Sequence, residues 1–135
     1  MPEYLSIATH ERIEMISIGS LLAELLRKKA DAGWKDGFLA VYSPHTTCGL
    51  TNEGWDPDVK ADMERFLADR VPQDWGFRHA EGNSDAHIKT SFFGSSVLVP
   101  VAGGLPDLGQ WQAVYLCESD GPRVRTLRVS FLKEA

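Results

Sequence analysis

Six residues, Phe38-Leu39-Ala40-Val41-Tyr42-Ser43, run almost without interruption by polar side chains and stop at Pro44. Such a short apolar run reads as a strand covered on both faces, and a proline closes it because it brings no backbone donor to the ladder. His45-Thr46-Thr47 therefore emerge at a strand end, where side chains are free to line a cleft.

The rest of the chain supplies layers for this strand. Tyr4–Thr9 and Arg12–Ser17 read as two short strands joined in a hairpin across His10-Glu11, with His10 an ordinary turn residue. From Ser20 the pattern changes to Leu21, Leu22, Leu25, Leu26 and Ala30, a helical stripe that covers a sheet and stops at Gly33. Asp56-Pro57-Asp58 combines an N-cap, a first-turn proline and a first-turn acid, followed by Val59, Met63, Phe66 and Leu67 at helical spacing. After the loop Val71–Gly76, a third helix is expected from Asp85 to Phe93, anchored by Ile88 and Phe92 and ended by Gly94. Val97–Val101, Ala113–Glu118 and Val124–Leu132 read as strands, with Gly103–Gly109 a long turn. In the last strand Leu127, Val129 and Phe131 alternate with Arg128 and Ser130, giving one core face and one wetter face. Strands in runs punctuated by helices, without βαβ alternation, make this an α+β fold with antiparallel sheet and about three helices.

Composition narrows the classes. A chain of 135 residues is sized for a single domain, 1–135, around one core. The net charge of −5 and the scattered basic residues argue against nucleic acid as a partner. No apolar run approaches the roughly 20 residues of a membrane helix, and the first residues lack a signal-peptide layout, so a cytoplasmic protein without a membrane partner is expected. Cys48 and Cys117 are too few for a disulfide framework and have no C-x-x-C spacing, so both are expected as reduced thiols.

The chemistry gathers in His79-Ala80-Glu81-Gly82-Asn83-Ser84-Asp85-Ala86-His87, which packs two imidazoles and two carboxylates around a polar turn. His45, His79 and His87 stand at turns or element ends, and three imidazoles with an open position form a ligand set of catalytic zinc. Their separations of 34 and 8 residues match no local metal motif. Separately hydrogen-bonded histidines and metal-free acid–base catalysis therefore remain open at this level. A first-turn position on a helix favours a neutral His87, able to ligate or accept a proton. The turn Gly82-Asn83-Ser84-Asp85 before a helix can offer N–H groups to an anion, with Thr46, Thr47 and Arg123 as further donors and a structural pair with Asp120 or Glu118 as the alternative for Arg123. Asn52-Glu53 and Glu81 lie near these histidines in sequence and are candidates to orient an imidazole, bind metal or move a proton, while Cys48 reads as an inert thiol over a Cys–His nucleophile and Trp111 as a core residue over a stacking platform.

Four segments in order carry a family resemblance: His45–Glu53 with Asp56-Pro57-Asp58-Val59 and Asp62-Met63; His79–His87; Leu108-Gly109-Gln110-Trp111-Gln112; and Glu118-Ser119-Asp120-Gly121-Pro122-Arg123. Together they resemble the YjbQ family, also called the secondary thiamine-phosphate synthase type. The resemblance implies a two-sheet β-sandwich that assembles as a homotrimer, with a cleft holding a divalent metal, zinc or alternatively magnesium, on His45, His79 and His87. The implied reaction joins a pyrimidine diphosphate to a thiazole phosphate and releases pyrophosphate. On that reading His79, Glu81 and Arg123 act on a small phosphorylated substrate held by Thr46, Thr47, Gly82, Asn83, Ser84, Asp85 and Arg123. The sequence departs from the family where an apolar residue between Thr51 and Asn52 is missing. Two other functions fit the same residues: a metal-dependent hydrolase of a phosphoester or amide, and a non-catalytic trimeric module that binds a metal or metabolite.

Overall fold

In the computed structural model, which describes residues 2–134, the apolar run becomes strand β3 (Gly37–Tyr42), the middle strand of a five-stranded sheet. Its neighbours are β8 (Val124–Leu132) and β5 (Ser96–Ala102), with β1 (Glu3–Ala8) outside β8 and the two-residue β6 (Leu105–Pro106) outside β5. A second sheet orders β2 (Glu14–Ser17), β7 (Tyr115–Glu118) and β4 (Cys48–Thr51). Every pairing in both sheets is antiparallel. With helices α1 (Gly19–Asp31), α2 (Pro57–Arg70) and α3 (Ser84–Phe93), the chain is the expected α+β fold with three helices.

The expected hairpin is not formed. β1 pairs with β8 and β2 with β7, so the link through His10 and Glu11 passes from one sheet to the other. Glu14 folds that link locally by accepting from the backbone N–H groups of His10 and Glu11 at 2.7 and 3.2 Å. Each strand thereby gains a partner that also feeds the core, which a free hairpin would not supply.

The main apolar core joins the layers, and Met15, Leu67, Tyr115 and Cys117 form a second, smaller cluster. Leu39, Val41, Val99, Val101, Leu127 and Val129 of the large sheet meet Cys48, Leu50, Val114 and Leu116 from the small-sheet side and Ile18, Leu22 and Leu26 at α1. Each fully buried Leu, Ile or Val stabilises the fold by roughly 1.5–3 kcal/mol. The other face of β3 is not covered as the apolar run implied. Cross-strand register sets Phe38 beside Pro100 and Leu132, Ala40 beside Leu98 and Ser130, and Tyr42 beside Ser96 and Arg128. Tyr42, Leu98 and Leu132 of this outer face are exposed, as is Tyr4 of β1.

The helices place the functional residues. Asp56 caps α2 by accepting from Val59 N–H at 2.8 Å, and Leu67 is buried while Val59 and Phe66 turn to solvent. In α3 the expected anchors fail: Phe92 is 74% exposed and Ile88 is at the surface, whereas Asp85, Ala86, Lys89 and Thr90 are buried. The helix rests on its charged side because ion pairs wait beneath it. Gly49 of β4 permits that approach, since a Cβ there would sit 2.8 Å from both Phe93 Cβ and Gly94 O. Both cysteines are free and buried, and Trp111, expected in the core, is 81% exposed.

Candidate functional site

A buried charge network forms the floor of the site. Glu118 and Arg125 are an ion pair inside the protein: the guanidinium places Nε 2.9 Å from Glu118 Oε1 and Nη2 against Oε2. Glu118 also accepts from Thr9 Oγ1 at 2.7 Å and from the backbone N–H groups of Ser119 and Asp120, while Arg125 donates to Thr47 Oγ1 at 2.9 Å. Burial alone would raise the Glu118 pKa, but these donors outweigh it and hold the carboxyl below its ordinary range. The same partnership raises Arg125 against the opposing cost of burial.

Asp120 continues the network outward. Its Oδ1 accepts from Arg12 at 3.1 Å, and its Oδ2 accepts from Asn83 Nδ2 at 2.9 Å and Arg123 Nη2 at 3.0 Å. Burial works against the charge, yet Asn83, Arg123 and Arg12 together lower its pKa. Arg12 forks between Asp120 and Asp85, and the second oxygen of Asp85 takes Lys89 Nζ at 2.7 Å. One guanidinium thus ties the end of β7 to the first turn of α3, an arrangement lysine would not reproduce.

The rim above this floor holds the predicted residues. Asn83 precedes α3, but its side chain makes no cap and instead donates to Asp120. Gly82 adopts φ 77°, a left-handed conformation that glycine reaches without strain, and its carbonyl accepts from Gln73 Nε2 at 3.3 Å. His79 and His87 come together, their rings 5.4 Å apart edge to face, and Glu81 lies 3.7 Å from His79 Nε2. Arg123 realises its alternative as a pair with Asp120 and still keeps a half-exposed side chain. Thr46 is exposed, Thr47 is buried beneath Arg125, and Ser84 opens α3.

Two predicted roles meet a different geometry. Asp85 is fully buried with both oxygens spent on Arg12 and Lys89, so its side chain braces the helix and presents nothing to an anion. His45 Nε2 lies 3.0 Å from the Thr126 backbone nitrogen and 3.2 Å from its carbonyl oxygen, so the backbone of β8 engages this nitrogen in either tautomer. Burial and the nearby Arg125 hold its pKa below the usual 6.5. Among the described residues no three His, Cys, Asp or Glu side chains are grouped to hold a metal ion. The rings that do converge are those of His79 and His87, with Glu81 3.7 Å from His79 Nε2, and His45 is not grouped with them.

Antiparallel pairing also separates two stretches that the sequence leaves side by side. Cys48 faces Glu118 and Thr51 faces Tyr115, so Asn52 and Glu53 leave β4 at the end of the small sheet away from the charge network. Trp55 there packs on Tyr115, whose hydroxyl donates to Trp55 O at 2.7 Å.

A family model described as UPF0047 protein YjbQ-like matches residues 3–134. The chain belongs to the YjbQ family. It is 42% identical over 134 residues to UPF0047 protein YugU of Bacillus subtilis, covering 98% of this chain and 99% of that one. It is also 42% identical over 127 residues to a UPF0047 protein of Methanocaldococcus jannaschii, covering 93% and 90%. A crystal structure of an uncharacterized YjbQ/UPF0047 protein from Clostridium acetobutylicum matches with a TM-score of 0.87 at 38% identity, covering 96% of this chain and 99% of that chain. In this YjbQ chain no helix among the described residues is long and apolar enough to cross a membrane.

The floor was missed in the sequence although signals existed. Extending the β8 alternation backward from Leu127 puts Arg125 on the core face, and a charge facing the core demands a partner. Lys89 stands four residues after Asp85, the spacing of an intrahelical ion pair. Arg12, in a connection, carried no pattern at all.

Proposed function

We propose that the chain is a transferase of the thiamine-phosphate synthase type that acts on small phosphorylated molecules at the rim around α3. The observation that carries this reading is the charge balance beneath the rim. Arg12, Arg123, Arg125 and Lys89 face only Glu118, Asp120 and Asp85, and Arg12 Nε is buried without a partner. The surplus positive charge, with the half-exposed Arg123 guanidinium near the N-terminus of α3, favours a phosphate or diphosphate. Arg123 and the Gly82–Asn83 turn would neutralise a departing pyrophosphate, and electrostatic stabilisation of that leaving group would supply most of the rate. His79, with Glu81 3.7 Å from its Nε2, would hold or move a proton there.

His79 and His87 would hold a divalent cation, zinc for its affinity for imidazole, with magnesium as the oxygen-seeking alternative. Such an ion supplies charge to polarise a phosphoryl oxygen. Thr46 contributes an exposed hydroxyl, and Thr47 and Asp85 shape the site from below. The outer sheet face, with Tyr4, Tyr42, Leu98 and Leu132 exposed, supports a homotrimer in which copies cover it. Two free buried thiols suit a cytoplasmic protein.

The test is formation of thiamine phosphate from the pyrimidine diphosphate and thiazole phosphate with Zn²⁺ or Mg²⁺, against a His79→Ala control. Product from the parent alone supports the synthase; equal product from both, or none from either, sinks it. A non-catalytic binding module is the second reading, favoured by the saturation of Glu118 and Asp85, and metabolite binding without turnover would select it.

A further inference from the structure

Helix α2 leaves one face uncovered. Of its 14 residues only Leu67 is buried, whereas Phe66 is 54% exposed and Val59 also lies at the surface. A groove of ≈ 460 Å³ runs along this face from Val59 to Arg70, and every residue lining it belongs to α2. Its second wall has to come from another molecule. We propose that a second copy of this chain supplies that wall, its α2 lying antiparallel across a two-fold axis that passes at Phe66.

The arrangement of charge selects this occupant. The groove carries two acids, Asp62 and Asp69, and two bases, Arg65 and Arg70, so it is neutral in a chain whose net charge is −5. A nucleic acid or an anionic membrane needs a surplus of base, and a strongly charged peptide needs the opposite of its own sign, but a self-contact needs neither. A two-fold contact also requires that each residue pair occur in both directions. Asp62 stands four residues before Phe66 and Arg70 four after it, so the three share one face of the helix. Antiparallel helices with Phe66 on the axis therefore set Asp62 of each copy against Arg70 of the other.

The single chain keeps these groups available. Asp62 is met by Arg65 at 3.9 Å, longer than a hydrogen bond, with both side chains exposed. Arg70 holds its guanidinium 5.6 Å from the Phe66 ring, beside the axis. Antiparallel helices also set opposite dipole ends side by side. The contact uses none of the outer sheet face of Tyr42, Leu98 and Leu132, so it doubles whatever unit that face assembles. Two helices of 14 residues bury less than the roughly 1,600 Å² of a standard interface, so the association is weak, with a half-point on the order of 100 µM.

The experiment is sedimentation velocity of the full chain at low salt, from about 10 µM to about 1 mM, reading the mass of the sedimenting unit. The mass is expected to double across this range. Asp62→Arg and Arg70→Asp, each alone, set like charges together twice per contact and are expected to weaken the doubling about tenfold. Mixing the two single variants in equal amounts should restore it, because each copy then meets a partner of opposite charge. Mixing would not mend a folding fault in either variant. Phe66→Ser, at an exposed position, should abolish the doubling. A parent whose unit keeps one mass across the range overturns the proposal. A mixture as weak as its components, or doubling indifferent to Phe66→Ser, places any self-contact on another face and overturns it equally.

Discussion

The floor and the rim of the site use the same residue types to opposite ends. In the floor, Glu118, Arg125, Asp85 and Lys89 are buried and their charges are spent on one another. On the rim, His79 is 42% exposed and Glu81 77% exposed, with a contact of 3.7 Å that is longer than a hydrogen bond. A charge in low dielectric is affordable only when fully partnered, and once partnered it has nothing left for a ligand. The residues free to do chemistry are therefore those the fold holds least tightly.

Breaking the floor is expected to have the largest effect. Arg125→Met leaves Glu118 buried and uncompensated and should lower unfolding free energy by about 3–5 kcal/mol in denaturant titration. The double variant Glu118→Leu/Arg125→Met should recover part of that loss. A cost under 1 kcal/mol for the single change would place Glu118 in contact with water and blur the contrast. Lys89→Met should cost less, about 1–3 kcal/mol, because Arg12 still pairs with Asp85.

Acid should act through the floor and through His45. Glu118 and Asp120 have folded pKa values below the ordinary 4.5 and 3.8, so their contribution is complete above those values and disappears as pH falls through the lower folded ones. His45 is also lowered, from 6.5, so the unfolded chain takes its proton first; stability is full above pH 6.5 and declines as pH drops toward the folded value. His45→Gln should flatten the melting temperature between pH 7 and the His45 folded value, and an unchanged slope would remove His45 from the account.

The smallest stability change belongs to the rim. His79→Ala and His87→Ala should stay within about 0.5 kcal/mol of the parent while abolishing turnover. A large loss of stability in either would make the imidazole pair part of the scaffold.

How far the sequence could be read follows the same division. β3, α2 with its Asp56 cap, and β8 were legible because local pattern and local capping determine them. The pairing of β1 and β2 was not, since strand partners distant in the chain are chosen by the core rather than by spacing. The His79–His87 juxtaposition was legible because one turn joins them. The backbone contact of His45 was not legible for a physical reason: the Thr126 backbone that meets its Nε2 lies 81 residues away, and no side-chain pattern announces a backbone partner. α3 misled because its exposed Phe92 and buried Lys89 invert the usual apolar stripe.

In the proposed site His79 and His87 are the imidazoles free to meet a cation, while His45 Nε2 is engaged by the Thr126 backbone. A Zn²⁺ titration of ¹⁵N-histidine-labelled protein, followed through the imidazole nitrogens, tests it most directly. The account predicts that the His79 and His87 nitrogens shift together while His45 Nε2 keeps its hydrogen-bonded resonance. A His45 signal that moves in step with the other two would contradict it.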